Sequence, residues 1–569
     1  MLFKFRPLPC LLVTLLAGSV LVGCGGSTEP KGLQPAATAA DPDSGTVGTL
    51  VAVSGSDFRD GATVQFGDFP ATGVTVVSSN LLTAYAPDSV TVGTTYTLTV
   101  TNPGGKSDAM ADAWKAVLPD LRVVNGVSKP SGLNGSTILF EGRAFGDLLG
   151  KGKVFFTDGG GQPVEAPVAL EENWTNEFIV TVVPNSAATG PVWVETPTGV
   201  SRTIDFRIDT GATFSPSQIF WTQTGSLPDS SQGHGAAFLG NDDRMGVDNV
   251  IYLTGGAGGN LAPRADVWRG TVDPVGSIGS WTAMASLPEP RALHGMTLAT
   301  PFNAYIDTAA AGQIYVVGGI DSSGAPTPQV FRAPVSLSRS VGAWTQEMSL
   351  PVALHSMGIT IFRSWLYVAG GAAAGDSAVS TVYRAHILYD GTLGPWEEQA
   401  GLPTPRAYAK LVQFAGILYV VGGDAGSTPP GSASVTGTQS AAIVYHPLDL
   451  RTGELGSAGW TTNPATLIKA VAKHTVLVAG GTILVSGGVY NGAANSSSEH
   501  QYATINVDGT IQSFNGATGS QTIKSQGGEP MFNHAAIVYV DGSGNAHVVM
   551  LGGNSAANPG TPVADVWYY

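Results

Sequence analysis

Six Gly-Gly pairs, each closing a short apolar run, constrain this chain more than any other feature. They stand in Tyr252-Leu-Thr-Gly255-Gly256, Tyr315-Val-Val-Gly318-Gly319, Tyr367-Val-Ala-Gly370-Gly371, Tyr419-Val-Val-Gly422-Gly423, Leu484-Val-Ser-Gly487-Gly488 and Val549-Met-Leu-Gly552-Gly553. From first Gly to first Gly the spacings are 63, 52, 52, 65 and 65 residues. A tandem unit of about 50 residues is the mark of a propeller array, in which each repeat supplies one blade. Blades packed around an axis leave little room for a Cβ where strands crowd and turn sharply, and this is where glycine is needed.

Within each unit the apolar run reads as the second strand of a four-stranded blade. A first strand begins near a His, and a third carries an aromatic, as in Val267-Trp-Arg, Val330-Phe-Arg, Val382-Tyr-Arg and Val444-Tyr-His. The fourth holds a Trp followed by Leu-Pro: Trp281 with Leu287-Pro288, Trp344 with Leu350-Pro351, Trp396 with Leu402-Pro403. This pattern resembles the kelch repeat family, and residues 214–569 are expected to form a six-bladed kelch-like propeller. Trp221 with Leu227-Pro228 precedes the first Gly-Gly, while Asp565–Tyr569 reads as a third strand with no fourth after it. Ile219–Trp221 is therefore expected to complete the last blade and close the ring. Blades five and six are expected to pack less regularly, because Trp460 is followed by Leu467 without Pro and Phe514 replaces the Trp.

Before the propeller the pattern changes to short alternating strands, such as Leu50-Val-Ala-Val-Ser, Thr63-Val-Gln-Phe and Tyr96-Thr-Leu-Thr-Val. Strands of this length bounded by Gly, Pro and Asp indicate a β-sandwich. Pro42-Asp-Ser-Gly45, Gly55-Ser-Asp-Phe58, Gly61-Ala-Thr-Val-Gln-Phe66, Ala86-Pro87 and Thr101-Asn-Pro-Gly-Gly105 resemble the IPT/TIG family of immunoglobulin-like domains. The same order returns, more divergently, in Pro130-Ser-Gly132, Gly142-Arg-Ala-Phe145, Val154-Phe-Phe156 and Val192-Trp-Val-Glu-Thr-Pro-Thr-Gly199. The reading is thus all-β: two immunoglobulin-like sandwiches, at 37–118 and 119–208, followed by the propeller. Such sandwiches are spacers or docking modules, so this resemblance implies architecture rather than chemistry.

At the N-terminus Lys4 and Arg6 precede an apolar stretch, Leu11–Val22, too short to span a bilayer comfortably. It ends in Leu21-Val22-Gly23-Cys24, which resembles the lipobox of bacterial lipoproteins. Residues 1–23 are then a signal peptide, Cys24 carries lipid, and 24–36 is a flexible tether. Gly25 after the Cys resembles an outer-membrane sorting signal. The expected location is the cell envelope, anchored to the outer membrane on its surface or periplasmic side. The chain has two Cys, and Cys10 leaves with the signal peptide. No thiol remains for a disulfide, a metal site or a nucleophile. That also argues against the copper site of galactose oxidase, to which a propeller flanked by immunoglobulin-like domains is otherwise similar, because that site needs a Cys–Tyr crosslink.

Charged residues are only 12% of the chain, and the net charge of −15 offers no basic stripe for phosphates, so no nucleic-acid partner is expected. All nine His lie in the propeller. His234, His294, His355, His474 and His534 are read as one repeat position, with Ala409 in the sixth. Such a ring would serve a metal or proton transfer, or else make the same hydrogen bond between blades each time. No metal or other cofactor is expected. Arg291 and Arg406, each in a Pro-Arg-Ala context, lie on the loops between fourth and first strands. They would clamp an anionic ligand or hold an internal partner. The loops after Gly-Gly vary most, and specificity on a rigid scaffold resides in such loops. No catalytic motif is recognised. The leading reading is a lipid-anchored binding or adhesion protein whose propeller face takes a protein or glycan. The alternative is a sugar mutarotase-like enzyme with its site in the propeller mouth.

Overall fold

The computed structural model describes residues 34–124, 130–135, 137–168, 173–209, 221–240, 249–273, 277–301, 303–304, 306–307, 309–429, 432, 439–449, 452–479, 481–490, 500–506, 508–517, 531–540, 546–555 and 561–568. The fold is all-β, with two immunoglobulin-like sandwiches preceding a six-bladed kelch-type propeller. The signal peptide, Cys24 and most of the expected tether lie outside the described residues.

The first sandwich packs Ala36–Asp41, Leu50–Ser56, Leu81–Tyr85 and Thr72–Ser78 against Ser44–Gly45, Ser107–Ala116, Thr95–Thr101, Thr63–Phe66 and Phe69–Pro70. Alternation along the strands sends Val51, Val53, Val64, Phe66, Leu98 and Val100 into one core around Trp114. The second sandwich pairs Asp120–Val124, Thr137–Arg143 and Phe178–Val182 over a sheet that includes Ala187–Thr196 and Lys153–Asp158. The two share a corner. A Cβ at Gly55 would lie 2.1 Å from the Ala36 carbonyl oxygen and 2.6 Å from the Phe58 ring. At Gly142 it would lie 2.1 Å from the Asp120 oxygen and 2.5 Å from Phe145. The Gly-x-x-Phe signature is therefore a steric requirement at both places.

The sandwiches are bonded to each other. Asp147 accepts from the Leu50 N–H at 2.9 Å and from the Asn176 N–H at 3.0 Å, so one carboxylate joins both domains. Thr46 hydrogen-bonds Thr196 at 3.1 Å, and Lys151 pairs with Asp88 at 2.8 Å.

Blade 1 is the sheet Gly235–Leu239, Asn249–Thr254, Val267–Val272 and Ile278–Ala283, and blades 2 to 5 repeat this order. Blade 6 is built from both ends of the propeller. Ala535–Val540, Ala546–Leu551 and Asp565–Tyr568 are completed by Thr222–Ser226, paired antiparallel to the C-terminal strand. The closing strand is described over Thr222–Ser226, directly after Trp221; of the expected Ile219–Trp221, residues 219 and 220 lie outside the described residues.

Large side chains latch neighbouring blades. The hydroxyls of Tyr252, Tyr315, Tyr367 and Tyr419 donate to the carbonyls of Arg339, Gly391, Gly453 and Gly509, each in the hairpin between third and fourth strands of the following blade. The indoles of Trp281, Trp344, Trp396 and Trp460 donate back to carbonyls of the preceding blade at 2.8–3.0 Å. Blade 6 has no hairpin between its third and fourth strands, and the Tyr position of blade 5 is Leu484. Phe514 has no indole N–H to donate, while Trp221 donates to His500 at 2.8 Å. Among the described residues, the junctions around blades 5 and 6 carry fewer of these bonds.

The second sandwich meets the propeller at the turn between the first two strands of blade 3. The Arg363 guanidinium lies 3.5 Å from the centre of the Phe178 ring and 3.2 Å from the Glu177 carboxylate. Leu139, Phe178 and Val180 share an apolar cluster with Phe362 of blade 3 and Leu411 and Leu418 of blade 4. That turn is at the end of the blade opposite the Gly-Gly pairs, so the sandwich covers the opposite face.

Candidate functional site

The Gly-Gly end of the propeller is assembled by one repeated contact. The N–H of each second glycine donates to a carbonyl of the next blade: Gly256 to Arg291, Gly319 to Leu354, Gly371 to Arg406, Gly423 to Val471, Gly488 to Met531 and Gly553 to Ser231. A Cβ on the first glycine of each pair would approach that same oxygen to 2.3–2.8 Å, and all six first glycines have φ between 54° and 63°. Both space and backbone conformation exclude any other residue.

Just inside this contact each blade turns into its first strand through one residue in the left-handed conformation. These are Gly233, Leu293, Ser356, Tyr408, Lys473 and Asn533, with φ of 54–60°. Their backbones are hydrogen-bonded around the axis: Leu293 N–H to Gly233 O at 2.7 Å, Ser356 to Leu293 at 2.8 Å, Tyr408 to Ser356 at 2.9 Å, Asn533 to Lys473 at 3.0 Å and Gly233 to Asn533 at 2.9 Å. Five non-glycine residues at positive φ cost about 1 kcal/mol each, which this belt of hydrogen bonds offsets.

The belt sets the true register of the histidines. His234, His294, His474 and His534 directly follow a left-handed residue, and their Cβ atoms pack on Gly256, Gly319, Gly488 and Gly553. In blade 3 that place belongs to Met357, whose Cβ lies against Gly371, and in blade 4 to Ala409. His355 is two residues earlier and pairs with Ala372, as Gln232 pairs with Ala257. A constant step of seven residues from the leucine of each Leu-Pro or its equivalent (Leu227, Leu287, Leu350, Leu402, Leu467) marks the same positions in the sequence.

The four in-register histidines are buried, and their rings point toward the preceding blade. His294 Nε2 meets Thr254 Oγ1 at 2.8 Å, and His534 Nε2 meets Thr475 Oγ1 at 3.2 Å. Burial disfavours the imidazolium and lowers the pKa of His234 to about 4 and of His294, His474 and His534 to about 3. They are neutral at physiological pH. Among the described residues no group of three or more His, Cys, Asp or Glu is arranged to hold a metal.

Arg291 and Arg406 are also turned into the fold. Arg291 is fully buried, ion-paired with Glu289 at 2.8 Å, hydrogen-bonded to Gln329 and donating to the Pro290 carbonyl. Arg406 donates to the carbonyls of Gly422 at 3.2 Å and Ala442 at 2.8 Å. Each guanidinium holds the base of its own loop.

A different set of side chains converges at this end, in blades 3 to 5. The Lys473 ammonium is buried, 4.7 Å from the Tyr408 ring centre and 5.9 Å from that of Phe532. It donates to the carbonyls of Pro429 at 3.0 Å and Ser432 at 2.8 Å. Burial lowers its pKa to about 7, opposed by the carboxylates of Asp424 and Asp376. Asp424 directly follows Gly423, accepts from the Thr428 hydroxyl, and has a second oxygen without a hydrogen-bond partner among the described residues. His355 lies 3.2 Å from Asp376 through Nε2 and 3.0 Å from the Ser356 hydroxyl through Nδ1. Its ring is 6.2 Å from Tyr408, whose hydroxyl donates to the Thr428 carbonyl at 3.1 Å. An amine poised near neutrality, two carboxylates, an imidazole and an aromatic face can together meet a ligand carrying both donors and acceptors.

Of the expected site residues, then, His355 alone belongs to this group. No sequence motif marks Lys473, Asp424, Asp376 or Tyr408. A signal existed: Lys473 is the one charged residue among the six that precede the ring position, and Asp424 the one charged residue directly after a Gly-Gly pair. The variable loop 491–499 and parts of those at 424–439 and 554–562 lie outside the described residues.

Comparison with known proteins agrees with this architecture. An IPT/TIG domain model matches residues 35–112. Among curated proteins, beta-scruin of Limulus polyphemus is 23% identical over 211 residues, covering 36% of this chain and 20% of that protein. Kelch-like protein terF of Aspergillus terreus is 25% identical over 219 residues, 37% of this chain and 42% of the relative. Mouse kelch-like protein 36 is 24% identical over 208 residues, 36% of this chain and 29% of the relative. The chain thus spans less than half the length of these curated relatives. A solved structure titled "Structure of YjhT" aligns at TM-score 0.41 and 14% identity, covering 60% of this chain and 95% of that one.

Proposed function

We propose that this protein is a lipid-anchored binding protein of the bacterial envelope, held through Cys24, with the Gly-Gly face of its propeller as the ligand-binding head. One observation carries the reading. The second sandwich is fastened to the opposite face through Arg363, Phe178 and Glu177, so the Gly-Gly loops point away from the stalk. A spacer that grips one face of a rigid disc presents the other to a partner. The second sandwich is read as a divergent IPT/TIG domain, from the corner shared by Gly55 and Gly142. The kelch character of the matched relatives supports binding to a protein, and the polar group around Lys473 gives a glycan or protein ligand its donors and acceptors. The mutarotase alternative has no comparable support, since Arg291 and Arg406 are engaged inside the fold.

The test is binding of the full mature chain to glycan and envelope-protein arrays, alone and with Asp376→Ala. Asp376 is the most accessible member of the group, with its side chain 31% exposed. A hit lost in the variant supports the reading; a hit unchanged by it moves the ligand elsewhere, and no hit on either array counts against a binding head. Separately, Cys24→Ser should release the chain from membranes, and continued membrane association would exclude the lipid anchor.

A further inference from the structure

The six residues whose carbonyls accept from the second glycines are Ser231, Arg291, Leu354, Arg406, Val471 and Met531. The last five bury a larger side chain at the base of the blade they lead into. Ser231, which leads into blade 1, does not. Blade 1 has a cleft there, lined by Asp229, Ser231, Arg264, Asp266 and Trp268 over Leu253. Its floor offers about 20 Å³ to a water-sized group, more than the roughly 10–15 Å³ that one water needs, and the cleft widens to about 290 Å³ at its open mouth.

Blade 2 shows what such a place holds when it is filled. The Arg291 guanidinium lies 2.8 Å from the Glu289 carboxylate, hydrogen-bonds Gln329 and stands 5.2 Å from the centre of the Phe331 ring. Repeat positions carry each partner over to blade 1. Glu289 and Asp229 both directly follow Leu-Pro. The carbonyls of Gln329 and Asp266 both accept the N–H of a first glycine, from Gly318 at 2.9 Å and Gly255 at 2.8 Å. Phe331 and Trp268 are both the second residue of a third strand. Blade 1 therefore keeps the surroundings of a guanidinium, with a carboxylate in place of the Gln329 amide, and lacks the guanidinium itself.

The polar groups of the cleft are open to an incoming donor. Among the described residues the Asp266 carboxylate makes no hydrogen bond or ion pair, and the buried Ser231 hydroxyl has no partner. Arg264 does not fill the place. Its Nη2 rests 2.8 Å from the position a Cβ on Gly258 would take, and its Nη1 lies 3.7 Å from Asp229, a partly exposed pair of little strength. Two carboxylates against one guanidinium leave the cleft negative. His234, which also lines it, is neutral at physiological pH.

We propose that the blade 1 cleft takes the basic side chain of a partner protein, seated where Arg291 sits in blade 2. One N–H group reaches the floor between Asp229 and Asp266, and the rest of the guanidinium or alkyl ammonium lies in the mouth beside Trp268. The net charge of −15 favours a partner of the opposite sign. The cleft shares the Gly-Gly end with the Lys473 group but none of its residues, so either can fail without the other.

The test is isothermal titration of the full chain with N-acetyl-L-arginine amide, N-acetyl-L-lysine amide and the neutral N-acetyl-L-norleucine amide. Two variants run alongside: Asp266→Asn, and Ser231→Arg, which fills the cleft from within as Arg291 does. The expected result is one site for the arginine derivative, weakened about tenfold by Asp266→Asn, the worth of one charge-assisted hydrogen bond. Ser231→Arg should abolish it; if that variant does not fold, Asp266→Asn, a change of charge at constant shape, carries the test. Binding of the arginine derivative alone identifies a guanidinium, and equal binding of the lysine derivative identifies any cation with N–H donors on a side chain of that reach. No binding of either cation, equal affinity for the norleucine derivative, or an affinity unchanged by Asp266→Asn would overturn the site.

Discussion

The N–H of Gly553 donates to the carbonyl oxygen of Ser231 at 2.8 Å, joining the last blade to the first by the same bond that joins every other pair. The ring is therefore uniform at its Gly-Gly end, whatever the sequence separation of the partners. The first glycine of each pair packs against that acceptor, and a side chain there would break the bond as well as clash. Gly318→Ala would put a Cβ 2.4 Å from the Leu354 oxygen at a φ of 58°. The expected loss is about 2–4 kcal/mol, from strain at positive φ and overpacking together. Urea denaturation of wild type and variant measures it; a loss below about 0.5 kcal/mol, the range of neutral surface changes, would mean that the junction yields.

Acid should unfold the propeller through its histidines. His234, His294, His474 and His534 titrate at about 4, 3, 3 and 3 when folded, below the ordinary 6.5. A base whose folded pKa is depressed contributes stability that is whole above the unfolded value. That stability is lost as pH falls from about 6.5 toward 4 and 3, by up to about 1.4 kcal/mol per pH unit for each His. Denaturation midpoints at pH 7 and pH 5 should therefore differ strongly. His294→Met, which copies Met357, should reduce the slope by one histidine's share; an unchanged slope would show that other groups set it.

The tyrosine latches should act one junction at a time. Tyr315→Phe removes the hydroxyl that donates to Gly391 and leaves that carbonyl short of a partner, a loss of about 1–2 kcal/mol. Hydrogen exchange should then rise locally in blades 2 and 3. In the wild type the fastest exchange among paired strands is expected in blades 5 and 6, where Leu484 and Phe514 supply no latch. Uniform protection around the ring would contradict this account.

Arg363→Ala should loosen the second sandwich without unfolding the propeller. The cation–π contact and the ion pair with Glu177 together are worth about 1–3 kcal/mol. Small-angle scattering should report a larger radius of gyration, while the main thermal transition stays within about 2 °C because the blades keep their own junctions. An unchanged radius would mean that Leu139, Phe178 and Val180 hold the domain unaided.

Much of this architecture is legible because glycine has few substitutes: the Gly-Gly pairs and the Gly-x-x-Phe corners mark places where the backbone admits no Cβ. The aromatic latches are legible for a similar reason, since a large side chain recurring once per repeat needs a recurring partner. Register within a repeat is harder. His355 lies close enough to the histidine position to be mistaken for it, and only its pairing with Ala372 separates the two. The Lys473 group is harder still. Its members come from three blades and meet only because the left-handed belt draws the chain toward the axis, a relation between distant residues that no local motif records.

The attachment at Arg363 also governs how the molecule carries load. Blade 3 stands across the ring from blade 6, whose closing strand Thr222–Ser226 is the first part of the propeller in the chain. Force applied to the second sandwich therefore has a route into the propeller through the Arg363 contact on blade 3, half a ring away from the strand that seals it.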